Sequence, residues 1–571
     1  MGRRSGGESS TSLRAGTDLN AALPAAVLGN GSLLTTLSER GSVHGLWWPH
    51  PDREQQLGEL RLGIQLDGVT RWLDDETFVW EQSYADGSML LRTVCRTAGL
   101  EVTIDDLVHP TEPALVRRVS CTARGARLVV RFRALEGALA LGTESAASPD
   151  GTLSCALAGS VELACAFGSS REEAAERAAA IVGAGFDQHA DARRRRDAAR
   201  VAQAQPARQQ AVTGLYERSL LVFDALADRE TGAVIAAPEL DPDFVRSGGY
   251  GFVWARDLAF LVLAFLAARR RDLVEGALRW LPSAQEQAGL WLQRHWTDGS
   301  LAPSWNAHQL DETGTVLFAY EAAWRELKDE ALDAGLWPST RRAADFLLGS
   351  IEAHGIPCET ADLWEERDGC HAYTTAATVG GLRAAASFAQ RHEPALADTY
   401  GDAAERLAAA LDRCFWSGEH GRYLRTLGDP TVDVSLLGLA WPFGAVDPRG
   451  ARMRATADAV ERMLGRPGGG IMRYERDTYA GGNPWVLAAL WLGLYRRQIE
   501  DAEGHARALD YARRVATPLQ LLAEQVTDEG EPAWVVPLAW SHAMLVLAAR
   551  PELELVRARG AAGRSPVRAA S

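Results

Sequence analysis

Partway along this chain the spacing of apolar residues changes from two to about 3.6. Between residues 24 and 168, the runs SLLTTLSE, LRLGIQLDG, LLRTVCRT, LEVTIDDLVH, ALVRRVSCT and ARLVVRFRAL alternate apolar and polar positions between Gly, Asp and Pro turn signals. Alternation sends successive side chains to opposite faces of a strand, and many short strands at regular spacing predict a β-sandwich. From about residue 206 to 550 the apolar residues recur at helical spacing instead. Helices are expected near 207–228, 255–269, 272–292, 310–328, 338–354, 373–391, 396–414, 431–440, 451–464, 483–497, 503–522 and 537–549. About a dozen helices in one unit suit six helical hairpins arranged as a toroid, whose loops at one end gather around a central funnel.

The expected organisation is a disordered N-terminus at 1–23, a β-sandwich domain at 24–168, a helical linker at 169–205, a helical domain at 206–555 and a disordered basic tail at 556–571. The linker is Ala- and charge-rich, with a break expected at Gly183–Gly185, and its run Arg193–Arg196 reads as a solvated helix face. At 571 residues, 47% apolar and 24% charged, the chain is too long for one ordinary domain and reads as globular. Its net charge of −15 argues against a nucleic-acid partner. The N-terminus lacks an apolar core for a secretory signal and no run is apolar enough to span a membrane, so the expectation is a cytoplasmic protein without a membrane partner. The seven cysteines fall in no CxxC pattern and read as reduced thiols. HExxH and other zinc spacings are absent, as are the Gly-x-Ser-x-Gly elbow and the phosphate-binding loop. Neither a metal nor a cofactor is therefore expected.

Chemistry concentrates in ADLWEERDGCHAYTT, residues 361–375. Glu365 and Glu366 follow Trp364, and a carboxyl beside a large aromatic wall is desolvated, which raises its pKa. A raised carboxyl pKa is what a general acid needs to keep its proton near neutral pH. The bland alternative is an exposed acidic turn paired with Arg367. Two like charges this close do not ionise together cheaply, so Glu366 is a candidate for holding Glu365 protonated. Glu524 is a second, distant carboxylate, read either as a partner for Glu365 or as an ordinary glutamate at a helix end. In GGYGFVWARDLAF, Arg256 and Asp257 sit among Tyr250, Phe252 and Trp254. They offer donors and acceptors for vicinal sugar hydroxyls, or else a helix cap and a local ion pair. In SWNAHQLDETG, Trp305 is a candidate aromatic wall, and Asp311 and Glu312 open a helix. In GGGIMRYERDTYAGGNPW, Arg473 is a candidate substrate contact, while Asn483, Pro484 and Trp485 read as a structural helix start. His542 reads as a core or supporting group, and His371 and Tyr373 as residues that shape the acid loop.

These segments resemble glycoside hydrolase family 15, the glucoamylase-like family. The matching pieces are YGFVWARD, QLDETG, DLWEER with the following YTTAA, DVSLLGLAWPFG, RYERDTY with GGNPW, and AEQV with PLAWSH, all in the family's order. VLGNGSLLTTL is similar to the start of the β-sandwich found in bacterial and archaeal members. The resemblance implies a multidomain β plus all-α chain, a β-sandwich followed by an (α/α)6 barrel. It implies an inverting, exo-acting α-glucoside hydrolase that releases β-glucose, with Glu365 as general acid and Glu524 as general base. Arg256 and Asp257 would bind the terminal glucose, Tyr250, Trp254, Trp305 and Trp364 would wall it, Arg473 would bind near the cleavage point, and Glu366 would support the acid. The LWEER form departs from the RWEEQ and IWEVRG forms of other members, which leaves the linkage open. The expected substrates are short maltooligosaccharides or isomaltose-type glucosides, with trehalase, glucan transglucosylase or phosphorylase, and a non-catalytic sugar-binding protein as alternatives. A small oligosaccharide is the expected partner, and a homo-oligomer is left open.

Overall fold

The computed structural model describes residues 23–550, apart from 135–136, 142–143, 147–149, 242–243, 245–246 and 306–307. The disordered ends expected at 1–23 and 556–571 thus lie almost wholly outside the described residues.

The first part of the chain is built from antiparallel strands. Ala26–Gly29, Leu34–Leu37 and Val43–Trp47 form a small sheet. Leu57–Leu66 and Arg127–Ala134 are the central strands of a four-stranded sheet, flanked by Val69–Trp72 and Asp150–Ala156. A seven-stranded sheet runs in the order Glu144–Ala146, Ala138–Leu141, Ser160–Ala166, Ala114–Cys121, Leu100–Val108, Leu91–Thr97 and Val79–Tyr84. Alternation does its work here: Leu62, Ile64, Leu128, Val130 and Phe132 of the four-stranded sheet and Cys95, Val102, Ile104 and Val119 of the seven-stranded sheet join one buried core. The other face of the larger sheet, with Leu107, Val116 and Ala164, receives Ala178, Ile181, Phe186 and Ala190 from two helices.

Those two helices are α1 (Arg171–Ala184) and α2 (Phe186–Gln203). They break at Gly185, whose φ of 86° suits glycine. The run Arg193–Arg196 is a solvated face only in part: Arg195 is exposed and Arg194 pairs with the exposed Asp86 and Asp191, whereas Arg193 and Arg196 turn inward. Arg193 is buried against Asp197, 2.8 Å away, and donates to the carbonyls of Gly29 and Val108, while Arg196 donates to the carbonyl of Asn30. The β-region presents unpaired carbonyls at this seam, and a guanidinium can satisfy several of them at once.

Eleven further helices follow: α3 (Thr213–Leu226), α4 (Ala255–Ala268), α5 (Arg271–Ser283), α6 (Leu310–Leu327), α7 (Glu330–Gly349), α8 (Ala372–His392), α9 (Pro394–Phe415), α10 (Ala451–Leu464), α11 (Val486–Gln498), α12 (Ala502–Val515) and α13 (Ala539–Ala549). Val434–Leu439, expected as part of an α-helix, is a 3-10 turn. The packing closes on itself. α4 packs on α6, α6 on α8, α8 on the 3-10 segment, that segment on α11, α11 on α13, and α13 back on α4. Outside this inner ring, α3 packs on α13, α5 on α4, α7 on α6 and α8, α9 on α8, α10 on the 3-10 segment and α12 on α11. Residue pattern explains the layers. ARDLAFLVLAFLAA of α4 is buried all round, as an inner helix must be, whereas α12 buries only the face of His505, Leu509, Tyr511 and Ala512. Gly314 of α6 permits the crossing with α8, since a Cβ there would lie 2.4 Å from the Ala377 carbonyl oxygen.

Three helix boundaries differ from the sequence reading, for identifiable reasons. α7 starts eight residues early because Asp329 caps it by accepting from the Leu332 amide, and Pro338 is tolerated inside. α5 stops at Ser283, just past Pro282, and α12 at Val515, three residues before Pro518. The residues released, 284–305 and 516–538, form long loops that reach the end of the ring where the inner helices begin.

Candidate active site

A cavity of about 290 Å³ opens at that end of the ring. Its walls come from the segments that precede or open α4, α6, α8, α11 and α13. All ten residues singled out from the sequence line it: Tyr250, Trp254, Arg256, Asp257, Trp305, Trp364, Glu365, Glu366, Arg473 and Glu524.

Glu365 sits in the turn before α8 with φ of 66°, a left-handed conformation uncommon for a residue other than glycine and a recurrent mark of functional sites. The turn is held because Glu365 donates its amide to the Asp362 carbonyl and Glu366 donates its own to the Asp362 side chain. The Trp254 indole donates to Glu365 Oε1 at 2.6 Å, and Arg256 lies 3.5 Å from the same oxygen. The Gln293 side-chain amide donates to Oε2, and Ser304 donates to Gln293. Burial raises the Glu365 carboxyl above its ordinary value, with Arg256, Trp254, Gln293 and Arg294 pulling the other way.

The source of that shift corrects two sequence-based expectations. Glu366 does not hold Glu365 protonated. Its carboxylate turns to Arg473 at 2.8 Å and accepts from the Tyr474 hydroxyl, which spends its charge elsewhere. Trp364 is not the aromatic that grips the acid either: its indole donates to Asp433, the residue capping the 3-10 segment, at 2.9 Å.

Glu524 is not at a helix end. It lies in the extended loop between α12 and α13, with its amide donating to Val535 and its carbonyl accepting from Val486. Tyr250 donates to its carboxylate at 3.0 Å and shares a 2.8 Å hydrogen bond with the Tyr479 hydroxyl. Burial pushes Glu524 up to about 8, against the charge of Arg473 and the donation from Tyr250. Behind it His542, buried and held neutral with its pKa lowered to about 3, accepts from the Leu522 amide and pairs with Ser219, anchoring the loop that presents Glu524.

Arg256 is ringed by carboxylates. It lies 3.1 Å from Asp311, 3.3 Å from Glu312 and 3.6 Å from Asp257. Its backbone amide also donates to Glu312, which ties the start of α4 to the start of α6. Both carboxylates at the head of α6 are fully buried, so they are supports for Arg256 rather than solvated helix-end charges. Trp254, not Asp257, occupies the N-cap of α4. Asp257 Oδ1 is buried and without a hydrogen-bond partner, and burial pushes this carboxyl up to about 7.

Arg473 donates to Asp477 at 2.7 Å and stacks near Trp485 and Tyr479. Trp305 stands at the mouth, 54% exposed, with the Arg294 guanidinium stacked 4.6 Å from its ring centre.

Several contributors were not read from the sequence. Tyr479, Trp485, Leu538 and Trp540 line the cavity. Trp485 had been read as part of a structural helix start, yet it is itself the N-cap of α11 and faces the site, while Asn483 lies three residues before the helix. Gln293 and Arg294 lie just past the helix expected to end at 292, where no motif marks them. Arg294 donates to the carbonyls of Pro303 and Gly248, pinning the mouth. His371 bonds to Thr426 and Thr360, in keeping with a loop-shaping role. All seven cysteines are free thiols, and no helix among the described residues is long and apolar enough to cross a membrane.

Comparison with known proteins agrees with this architecture. The model of glycosyl hydrolases family 15 matches residues 212–515, and the chain belongs to that family. An uncharacterised glycosyl hydrolase of Methanocaldococcus jannaschii is 32% identical over 352 residues, 59% of this chain and 55% of that protein. An isomaltose glucohydrolase of Kribbella flavida is 30% identical over 359 residues, 56% of this chain and 87% of that protein. The chain therefore spans about half the length of the first relative and most of the second. A bacterial glucoamylase complexed with acarbose shares the fold across both the β-region and the helical ring, with a TM-score of 0.78, 19% identity and 94% of each chain covered.

Proposed function

We propose that this protein is an exo-acting, inverting α-glucoside hydrolase that removes single glucose units from the non-reducing ends of short α-glucans. The observation that carries this reading is that Glu365 and Glu524, from separate loops, line one cavity together with the Arg256–Asp257 pair. Glu365 is the general acid: burial favours its protonated form, and it gives that proton to the departing glycosidic oxygen. Glu524 is the general base: its ionised form, the minority below about pH 8 and favoured by the charge of Arg473, takes a proton from the water that attacks the anomeric carbon, with Tyr250 fixing its orientation. Arg256 and Asp257 hold the hydroxyls of the terminal sugar, and Tyr250, Trp254, Trp364 and Trp485 supply apolar walls. Arg473 and Glu366 form a charged edge beside the acid.

A volume of about 290 Å³ lies at the small end of ligand pockets, roughly 300–1,000 Å³, which favours a disaccharide or short oligosaccharide over a long chain. The similarity to an isomaltose glucohydrolase supports an isomaltose-type glucoside among the substrates. Time-resolved proton NMR with maltose, isomaltose, maltotriose and trehalose tests the reading. Early β-glucose from one of the first three is expected. Early α-glucose would replace inversion by retention, and release from trehalose alone would reassign the substrate.

A further inference from the structure

The loop that α5 releases carries Gln293, which touches the acid directly. Its environment is asymmetric. Oε1 of Glu365 is held by the Trp254 indole at 2.6 Å and faces Arg256 at 3.5 Å, so both neighbours present N–H groups to it. Neither can accept a proton, since indole and guanidinium only donate. Oε2 is therefore the oxygen that carries the proton when Glu365 is a neutral acid. Yet Oε2 also receives an N–H, from Gln293. That contact suits only the ionised carboxylate, because a donor aimed at a carboxylic O–H leaves two hydrogens opposed.

Gln293 can resolve this conflict where an arginine or tryptophan cannot. A side-chain amide is a donor on one edge and an acceptor on the other, and rotation by half a turn exchanges them. Its outer edge meets the Ser304 hydroxyl, which donates to Gln293 Oε1 in the state seen here. A hydroxyl is equally competent as acceptor. After an amide flip, Nε2 donates to Ser304 Oγ and Oε1 accepts a hydrogen bond from the Glu365 O–H, which keeps its proton until the glycosidic oxygen takes it. The serine residue is exposed, so its own hydrogen can turn to solvent.

We infer that Gln293, backed by Ser304, is a positioning residue that follows the protonation state of Glu365, donating to the carboxylate and accepting from the acid. The inference rests on Glu365 being the general acid. Each turnover takes this group from acid to carboxylate and back, and the relay keeps the carboxyl aimed in both forms. No bond to carbon is made or broken by Gln293; it only exchanges hydrogen-bond direction.

The test uses Gln293→Met, of similar length without donor or acceptor, Ser304→Ala and Ser304→Thr, with Glu365→Gln as reference. Substrates are whichever of maltose and isomaltose is hydrolysed, together with 2,4-dinitrophenyl α-glucoside, whose leaving group needs no proton. For Gln293→Met, kcat on the disaccharide is expected to fall at least tenfold with little change in KM, and far less on the dinitrophenyl substrate. The charge-assisted bond to the carboxylate is stronger than the neutral bond from the acid, so losing both still disfavours the carboxylate, and the alkaline limb of kcat against pH is expected to move up by a fraction of a unit. Ser304→Ala is expected to give a smaller shift in the same direction, and Ser304→Thr to reverse it. An unmoved alkaline limb in both Gln293→Met and Ser304→Ala, or a loss confined to KM, overturns the relay. Glu365→Gln separates the two layers. If it is inactive on the disaccharide while the relay variants keep the original profile, only the relay fails. If it retains full activity, the acid assignment fails and the relay with it.

Discussion

Glu524 carries a direct link between catalysis and stability. Its carboxyl belongs near 4.5 in the unfolded chain and near 8 in the fold, because burial disfavours the charge. A group with a raised folded pKa contributes stability in full below its unfolded value and loses it as pH rises through the folded value. The native protein is thus increasingly burdened by a buried carboxylate between about pH 4.5 and 8. Glu524→Gln removes that burden along with the base. It is expected to abolish most hydrolysis and to raise Tm, with a gap to the parent protein that widens from pH 5 to pH 9 and corresponds to a few kcal/mol. Calorimetry at the two pH values checks this, and a gap that stays constant would show that the carboxyl is not held neutral by the fold. Burial likewise pushes the Asp257 carboxyl up to about 7, against the charge of Arg256.

The loop at 284–305 connects catalytic residues to a distant support. The β-region sends Asp52 across to it, where the Asp52 carboxylate accepts from the Thr297 amide at 2.6 Å. His50, two residues earlier, pairs with Asp228 at 2.6 Å, and Trp280 of α5 donates to the Thr297 carbonyl at 2.8 Å. Thr297 lies between Arg294 and Trp305, so the brace fixes the segment that also carries Gln293. Asp52→Ala leaves a buried amide unsatisfied and is expected to destabilise the protein by about 1–3 kcal/mol. Its kcat is expected to fall several-fold with the cavity chemistry otherwise intact, and Asp52→Asn, which keeps an acceptor oxygen, is expected to recover most of both. Thermal unfolding and steady-state kinetics on the three proteins decide it. Equal behaviour of Ala and Asn would assign the effect to charge instead of the hydrogen bond.

At the scale of the molecule, the β-region and the helical ring share one continuous apolar core, which runs from Ala26 to Ala549 in the chain. Their seam is also polar and buried: Arg193 and Asp197 pair there, the Met89 amide donates to Asp197, and Arg218 of α3 donates to the Ser88 carbonyl. Unfolding either part alone would expose this core and take from Arg193 and Asp197 their partners in the β-region, the Gly29 and Val108 carbonyls and the Met89 amide. A single calorimetric transition is therefore expected, with coincident loss of helix and tryptophan signals. Two separated transitions would mean that the two parts are energetically independent.

Period alone was enough to read the order of the molecule: strands first, helices after, with a linker between them. Clustered charge among aromatics picked out residues that line one cavity, and the family resemblance suggested the roles proposed for Glu365 and Glu524. What local pattern could not convey was where side chains point. Glu366 and Glu365 are neighbours in sequence, yet a left-handed φ at Glu365 sends one carboxyl to Trp254 and the other to Arg473. Gln293 and Arg294 lie just past the helix expected to end at 292 and carry no motif that marks them, and it is the early end of α5 at Ser283 that lets their loop reach Glu365 and the mouth. Asp311 and Glu312 read from the sequence as carboxylates opening a helix, and only the closed ring shows that they are buried around Arg256. Local propensity acts over a few residues, whereas burial, pKa and hydrogen-bond partners are set by contacts between segments tens to hundreds of residues apart, and those exist only once the ring has closed.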